Sequence, residues 1–111
     1  MKKTLMAVLF GLMLGCAEKT SEQHLEAARQ HLEQDNIEAA VLELKNAVQL
    51  DPNSAQARFE LGSVYLQQKN FEGAEKELNR ALEYGYEATK VIPMLSKAYK
   101  QTGAYAALSE I

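Results

Sequence analysis

Hydrophobic and polar residues alternate along most of the chain with the spacing of amphipathic helices. After residue 20, apolar residues recur three and four positions apart, and Ala, Leu, Glu, Gln and Lys dominate the composition. The dipeptide Asp51-Pro52 and the glycine Gly85 interrupt the pattern, as residues that end helices do. The pattern predicts an all-α chain with helices at 21–34, 37–50, 54–68, 71–84, 89–102 and 104–111.

The first fifteen residues follow a different pattern. Two lysines precede an uncharged apolar run over residues 4–14, and Gly15 and Cys16 separate that run from a polar stretch. A basic start, a short apolar run and a small residue before the break are the parts of a secretory signal. The run is shorter than the ~20 apolar residues that cross a bilayer. The sequence therefore predicts a cleaved signal over 1–15 and a short linker over 16–20, with no permanent membrane helix in this region.

Cys16, the single cysteine of the chain, follows the predicted cleavage site directly. The segment Leu12-Met13-Leu14-Gly15-Cys16 resembles the lipobox of bacterial lipoproteins, in which the cysteine carries a diacylglycerol; Met13 and Leu14 depart mildly from the usual residues. The resemblance implies lipidation of Cys16, and two or more acyl chains anchor a protein stably. In enteric-type lipoproteins, Asp directly after the lipidated cysteine retains the protein in the inner membrane. Because this chain has Ala17 there, the resemblance further implies a periplasm-facing location on the outer membrane more than on the inner one. The alternative is a cysteine that falls by chance near an ordinary cleavage site.

Comparison of the chain with itself reveals an internal repeat at an offset of 34 residues. Identical pairs at this offset include Gln34 and Gln68, Asn36 and Asn70, Glu38 and Glu72, Ala40 and Ala74, Glu43 and Glu77, Leu44 and Leu78, Ala47 and Ala81. A 34-residue period in a helical chain resembles the tetratricopeptide repeat (TPR), whose helix pairs stack into a solenoid. The resemblance implies about two and a half repeats, over 21–54, 55–88 and a truncated third over 89–111.

Individual residues follow the TPR signature unevenly. Gly62 and Ala74 match its small positions, where helix backbones are expected to approach closely, whereas Arg58 and His24 stand where Trp is usual. Pro93 is expected in the first turn of the fifth helix, where its missing N–H costs little.

Candidate catalytic and metal chemistry is sparse. His24 and His31 lie on one face of the first helix without a third ligand at helical spacing, so they are interpreted as packing residues. No nucleophile–base pair and no phosphate-binding glycine loop is present, and the sequence predicts neither enzymatic activity nor a cofactor. The formal net charge of −3, without a basic run, gives no electrostatic basis for nucleic-acid binding.

Protein binding is the function class that remains. The first helix of each repeat is expected to line a concave groove, with candidate contacts at Glu22, Leu25, Arg29, Leu32, Glu33, Gln56, Phe59, Ser63, Leu66, Gln67, Lys90, Lys97, Lys100 and Gln101. Such a groove would be apolar at Phe59 and Leu66 and basic at the third repeat, which suits an extended peptide with an acidic end. Alternatively, Phe59 and Leu66 cover the helices of the neighbouring repeat.

A longer stretch carries a more specific resemblance. Residues 38–47, followed by Asp51-Pro52-Asn53, residues 57–62 and residues 74–78, resemble the start of the long TPR lipoproteins found beside exosortase/PEP-CTERM sorting and exopolysaccharide loci. The resemblance implies a periplasmic scaffold that aids export, sorting or assembly of surface protein and exopolysaccharide, with further repeats beyond residue 111. Two alternatives stay open: a pilotin-type assembly lipoprotein for pili or outer-membrane proteins, and the docking arm of an enzyme whose catalytic domain lies beyond residue 111.

Overall fold

The computed structural model describes residues 18–103 as a series of five α-helices. They are α1 (Ser21–Glu33), α2 (Ile37–Leu50), α3 (Ala55–Gln67), α4 (Phe71–Glu83) and α5 (Ala88–Thr102). The predicted all-α helical-repeat fold is confirmed, and each of these helices begins and ends within one residue of its predicted bounds. The predicted signal, Cys16 and the predicted sixth helix at 104–111 lie outside the described residues.

Side-chain caps fix where several helices begin. Thr20 forms a capping box with Gln23: the Thr20 hydroxyl accepts from the Gln23 N–H, and the Gln23 side chain accepts from the Thr20 N–H. The linker before α1 is therefore joined to the helix by two hydrogen bonds. At the start of α3, the Ser54 hydroxyl accepts a single hydrogen bond from the Ala57 N–H.

The turns within the repeats share one unusual backbone conformation. Asp35 (φ 58°), Lys69 (φ 63°) and Gly103 (φ 78°) lie 34 residues apart, after α1, α3 and α5, and all three are left-handed. This conformation costs a residue other than glycine roughly 1–2 kcal/mol. Asp35 and Lys69 adopt it because the next backbone N–H closes the turn: Asn36 donates to His31 and Asn70 to Tyr65, each at 2.8 Å.

The buried residues form two clusters along the solenoid. The first cluster is shared by α1, α2 and α3 and contains Leu25, Ala28, Leu44, Ala47, Ala57, Leu61 and Val64. The second is formed by α4 and α5 and contains Ala74, Leu78, Ala81, Val91, Leu95, Ala98 and Tyr99. Tyr65 of α3 packs against both clusters, so the hydrophobic core continues from one repeat to the next.

The helices of the second repeat approach each other closely at Gly62. A Cβ atom on this residue would lie 2.7 Å from Cγ of Leu78 and 3.2 Å from the Leu78 backbone nitrogen. Ala74, at the other predicted small position of this pair, is fully buried. The predicted close approach of the helix backbones is confirmed.

Pro93 does not occupy the predicted first turn of α5. The helix begins at Ala88, which makes Pro93 its sixth residue and puts it in the second turn. The prediction of a first-turn position was therefore wrong. In the second turn, a proline leaves the carbonyl of Thr89 without an intrahelical N–H. Both Pro93 and Thr89 are exposed, so water can satisfy that carbonyl.

The outer surface of the solenoid is mostly polar. Leu42 and Leu50 of α2 are its large exposed hydrophobic residues in the described region, at 60% and 53% exposure. Across residues 18–103, no helix combines the length and the apolarity needed to span a membrane.

Replacement of Gly62 by alanine tests the close approach. Alanine favours a helix by up to about 1 kcal/mol over glycine, but overpacking against Leu78 costs about 1–3 kcal/mol. We therefore expect Gly62→Ala to lower the free energy of unfolding by about 1–2 kcal/mol, measured by urea denaturation. Ser96→Ala, at the equivalent but exposed position of α5, is the control and should change it by less than about 0.5 kcal/mol. An unchanged or raised stability of Gly62→Ala would contradict the packing.

Candidate partner-binding groove

An open pocket lies where α3, α4 and α5 meet. It has a volume of about 510 Å³ and is lined by Ser63, Leu66, Gln67, Lys69, Phe71, Lys97 and Gln101. Leu66 and Phe71 supply apolar surface, whereas the two lysines supply positive charge. A pocket of this composition suits an apolar side chain next to a carboxylate.

Five of the fourteen residues predicted to line the groove lie around this pocket. They are Ser63, Leu66, Gln67, Lys97 and Gln101. Two lining residues were not predicted, because the prediction considered the first helix of each repeat alone. Lys69 occupies the left-handed turn after α3, and Phe71 is the first residue of α4. The alignment of Phe71 with Ile37 at the 34-residue offset was the sequence signal that marked a recurring apolar position.

Phe59 is engaged within the protein. Its ring stacks on Tyr86 with 4.1 Å between centroids and an interplanar angle of 11°. Phe59 and Leu66 both pack against the second cluster, as the alternative interpretation of the sequence expects, but Leu66 also lines the pocket. Leu66 is therefore the apolar residue of α3 that packs against the core and can also contact a partner in the pocket.

The first repeat presents a charged surface rather than an apolar one. Arg29 donates from Nε to Glu60 at 3.0 Å, which joins α1 to α3, and its Nη1 lies 3.5 Å from Glu26. The hydrogen bond to Glu60 raises the pKa of Arg29. Leu25 was expected in the groove, but it is 1% exposed and belongs to the first cluster, so that prediction was wrong. Leu32 is half-buried against the same cluster.

The remaining candidate residues lie apart from the pocket. Gln56 is exposed in the first turn of α3, and Lys100 is exposed near the end of α5. Lys90 lies at the start of α5, with its Nζ 3.7 Å from Oε1 of Glu87. Glu22 and Glu33 are exposed on α1. Lys97 is thus the one lysine of α5 that lines the pocket.

Two hydrogen-bonded side-chain pairs occupy the same position in consecutive repeats. His24 Nδ1 lies 2.6 Å from Glu43 Oε2, and Arg58 Nη1 lies 2.9 Å from Glu77 Oε2. Both pairs span 19 residues, so they are equivalent at the repeat offset. Their side chains are between 7% and 16% exposed, and Arg58 also donates to the carbonyl of Pro52 at 3.0 Å. Each pair fixes the two helices of its repeat against each other at the position where the signature expects tryptophan.

Glu43 also holds the linker that precedes α1. The ammonium of Lys19 lies 3.7 Å from Glu43 Oε1. The hydrogen bond with His24 is the main cause that lowers the pKa of Glu43 below its ordinary value of 4.5, and Lys19 lowers it further. His24 therefore has a structural partner, and within residues 18–103 no three His, Cys, Asp or Glu side chains are grouped to hold a metal ion.

Comparison with known proteins identifies the repeat. A family model described as "Tetratricopeptide repeat" matches residues 22–91. The chain belongs to this family. Among solved structures, the globular C-terminal domain of P. aeruginosa LpoP matches with a TM-score of 0.69 and 21% identity, over 84% of this chain and 92% of that one. The likeness to LpoP shows a shared fold, and comparison with curated proteins gives no sequence match.

Membership of the TPR family agrees with the geometry of the pocket. Solenoid repeats create extended concave surfaces that bind protein partners. The described helices form a protein–protein interaction scaffold of this kind, with the open pocket between the second and third repeats as its candidate site.

The pH dependence of stability tests the hydrogen bond between His24 and Glu43 in the first repeat. Because the folded-state pKa of Glu43 is lowered, its stabilising contribution is complete above the ordinary value of 4.5 and is lost as the pH falls through the folded pKa. We expect Glu43→Gln to be less stable than the wild type at about pH 6, and the difference to shrink towards about pH 3. Glu38→Gln, at an exposed position of α2, controls for the loss of one charge. A difference that is independent of pH in thermal or urea denaturation would refute the pairing.

Proposed function

We propose that this protein is a membrane-anchored TPR scaffold that binds an extended segment of a partner protein across its second and third repeats. The pocket of Leu66, Phe71, Lys69 and Lys97 is the observation that carries the proposal. It combines apolar surface, two cations and polar side chains in one concavity.

The composition of the pocket defines the chemistry of the partner. An apolar side chain would pack against Leu66 and Phe71, and a carboxylate would lie near Lys97 and Lys69. An extended segment leaves backbone N–H and C=O groups without internal partners. Ser63, Gln67 and Gln101 offer side-chain donors and acceptors for these groups. The acidic part of the partner is therefore expected at the third repeat.

The proposed anchor is Cys16, supported by the resemblance of its flanking residues to a lipobox. Lipidation there would hold the scaffold on the outer membrane, facing the periplasm. The resemblance to exosortase-associated TPR lipoproteins supports a role in the export, sorting or assembly of surface protein and exopolysaccharide.

The third repeat is proposed to continue beyond the described residues, with its second helix over 104–111 as the sequence predicts. Gly103 has the same left-handed conformation as Asp35 and Lys69, after which α2 and α4 begin two residues later. Tyr105 also aligns with Phe71 and Ile37, which open those helices.

Substitution of the proposed lipidation site tests the anchor. We expect Cys16→Ser to move the protein from the membrane fraction to the soluble fraction of its host, because the variant lacks a thiol to acylate. Labelling with a clickable fatty acid should mark the wild type and leave the variant unmarked. Retention of the variant in washed membranes would count against the lipid anchor.

Charge reversal in the pocket tests partner binding. A photo-crosslinking residue placed at Gln67 should capture a partner in the host, and Lys97→Glu should reduce the yield about tenfold or more through like-charge repulsion with the partner's carboxylate. The matched control is Lys45→Glu, an exposed lysine on α2 outside the pocket. Both variants should melt as the wild type does. Equal crosslinking in both variants would move the binding surface away from this pocket.

A further inference from the structure

The chain is joined to the first repeat from Lys19 onward. Lys19 pairs with Glu43 of α2, and Thr20 forms the capping box of α1. The hydroxyl of Ser21 donates to the carbonyl of Ala47 at 3.2 Å, near the end of α2. Three consecutive residues therefore have partners in the folded body, which leaves little freedom in the linker between the body and Cys16.

The remaining linker is short. Ala17 and Glu18 are the two residues between Cys16 and Lys19. A fully extended chain covers roughly 3.5 Å per residue, so Cys16 can lie at most roughly 10 Å of backbone from Lys19. If Cys16 carries lipid, as proposed above, the membrane surface must lie close to this end of the first repeat.

The surface at this end carries an exposed leucine and an exposed lysine among polar side chains. A shallow pocket of about 290 Å³ is lined by Glu18, Lys19, His24, Asn46, Gln49 and Leu50. Leu50 is the last residue of α2 and is 53% exposed. Beside it, the side chain of Lys19 is 55% exposed although its ammonium approaches Glu43. A leucine that can enter the acyl boundary and a lysine that can meet a lipid phosphate are the two components of an interfacial contact.

We propose that this end of the first repeat, defined by Lys19, Gln49 and Leu50, rests on the lipid headgroups with Leu50 in the interface. The inference rests on the proposed lipidation of Cys16. A short anchor holds the first repeat beside the membrane, so the effective concentration of lipid headgroups at Leu50 is high. A weak interaction is then enough to maintain the contact. The solenoid would then keep a defined orientation on the membrane instead of moving freely on a tether.

Leu42 provides a matched control for Leu50. It is also a leucine of α2, it is 60% exposed, and it lies eight residues earlier, which is roughly 12 Å along the helix axis. In the lipidated protein the sulfur of Cys16 is blocked by its thioether, so an introduced cysteine is the free thiol to label. Leu50→Cys and Leu42→Cys can therefore carry the same environment-sensitive fluorophore at equally exposed sites.

The experiment measures quenching of each fluorophore by spin-labelled lipid, with the purified lipidated protein in phosphatidylcholine–phosphatidylethanolamine vesicles. We expect a blue-shifted emission and about threefold stronger quenching at position 50 than at position 42, since interfacial groups lie ~5–10 Å deep. Gln49→Cys provides a second reading at the same end of α2 and should also be quenched more than position 42.

The outcomes separate this inference from the anchor itself. Vesicle-bound protein with equal quenching at positions 42, 49 and 50 would overturn the proposed contact and leave the lipid anchor intact. If the protein purified from its host carries no lipid and does not float with vesicles, the proposed anchor is overturned, and the proposed contact with it.

Discussion

The close approach of two helices within each repeat is the constraint on which the rest of the structure depends. At Gly62, a single added carbon would lie 2.7 Å from the side chain of Leu78. Helices this close need a tight turn between them, and that requirement explains the left-handed conformation of Asp35 and Lys69. The backbone cost at these turns is offset by the burial of Ala28, Leu44, Ala74 and Leu78 between the paired helices. Packing of the paired helices therefore outweighs the backbone preference of Asp35 and Lys69, at the same position in successive repeats.

The two hydrogen-bonded side-chain pairs show how the same packing tolerates a change of chemistry. Tryptophan is usual at the position of His24 and Arg58, and a polar side chain that is largely buried there needs a hydrogen-bond partner. Glu43 and Glu77 supply it from the second helix of each repeat. In the sequence of the third repeat both members of the pair become isoleucine, Ile92 and Ile111. Between the first two repeats the glutamate is unchanged while its partner changes from histidine to arginine, so each glutamate keeps a nitrogen donor or acceptor beside it.

The sequence was sufficient to predict the fold, but only part of the candidate site. The fold could be predicted from local signals, whereas the site depends on how separate helices meet. Helix bounds follow from periodicity and from breakers such as Pro52 and Gly85, which act locally. The pocket depends on how a turn and two helices meet, so Lys69 and Phe71 could not be found from the register of one helix. Leu25 was misplaced because it packs into the cluster that α1 shares with α2 and α3, and helical spacing does not distinguish that side of α1 from the groove. The pairing of His24 with Glu43 is a contact between helices that helical spacing does not reveal.

The proposed membrane contact and the proposed binding pocket lie at opposite ends of the helices. Leu50 and Lys19 lie where α2 ends and α1 begins, whereas Gln67, Lys69 and Phe71 lie where α3 ends and α4 begins. The thirteen residues of α3 separate these two edges by roughly 20 Å. That distance exceeds the Debye length of about 8 Å at physiological ionic strength. Lys69 and Lys97 would therefore be screened from anionic headgroups and stay available for a carboxylate, so the orientation set by a short anchor would favour protein over lipid in the pocket.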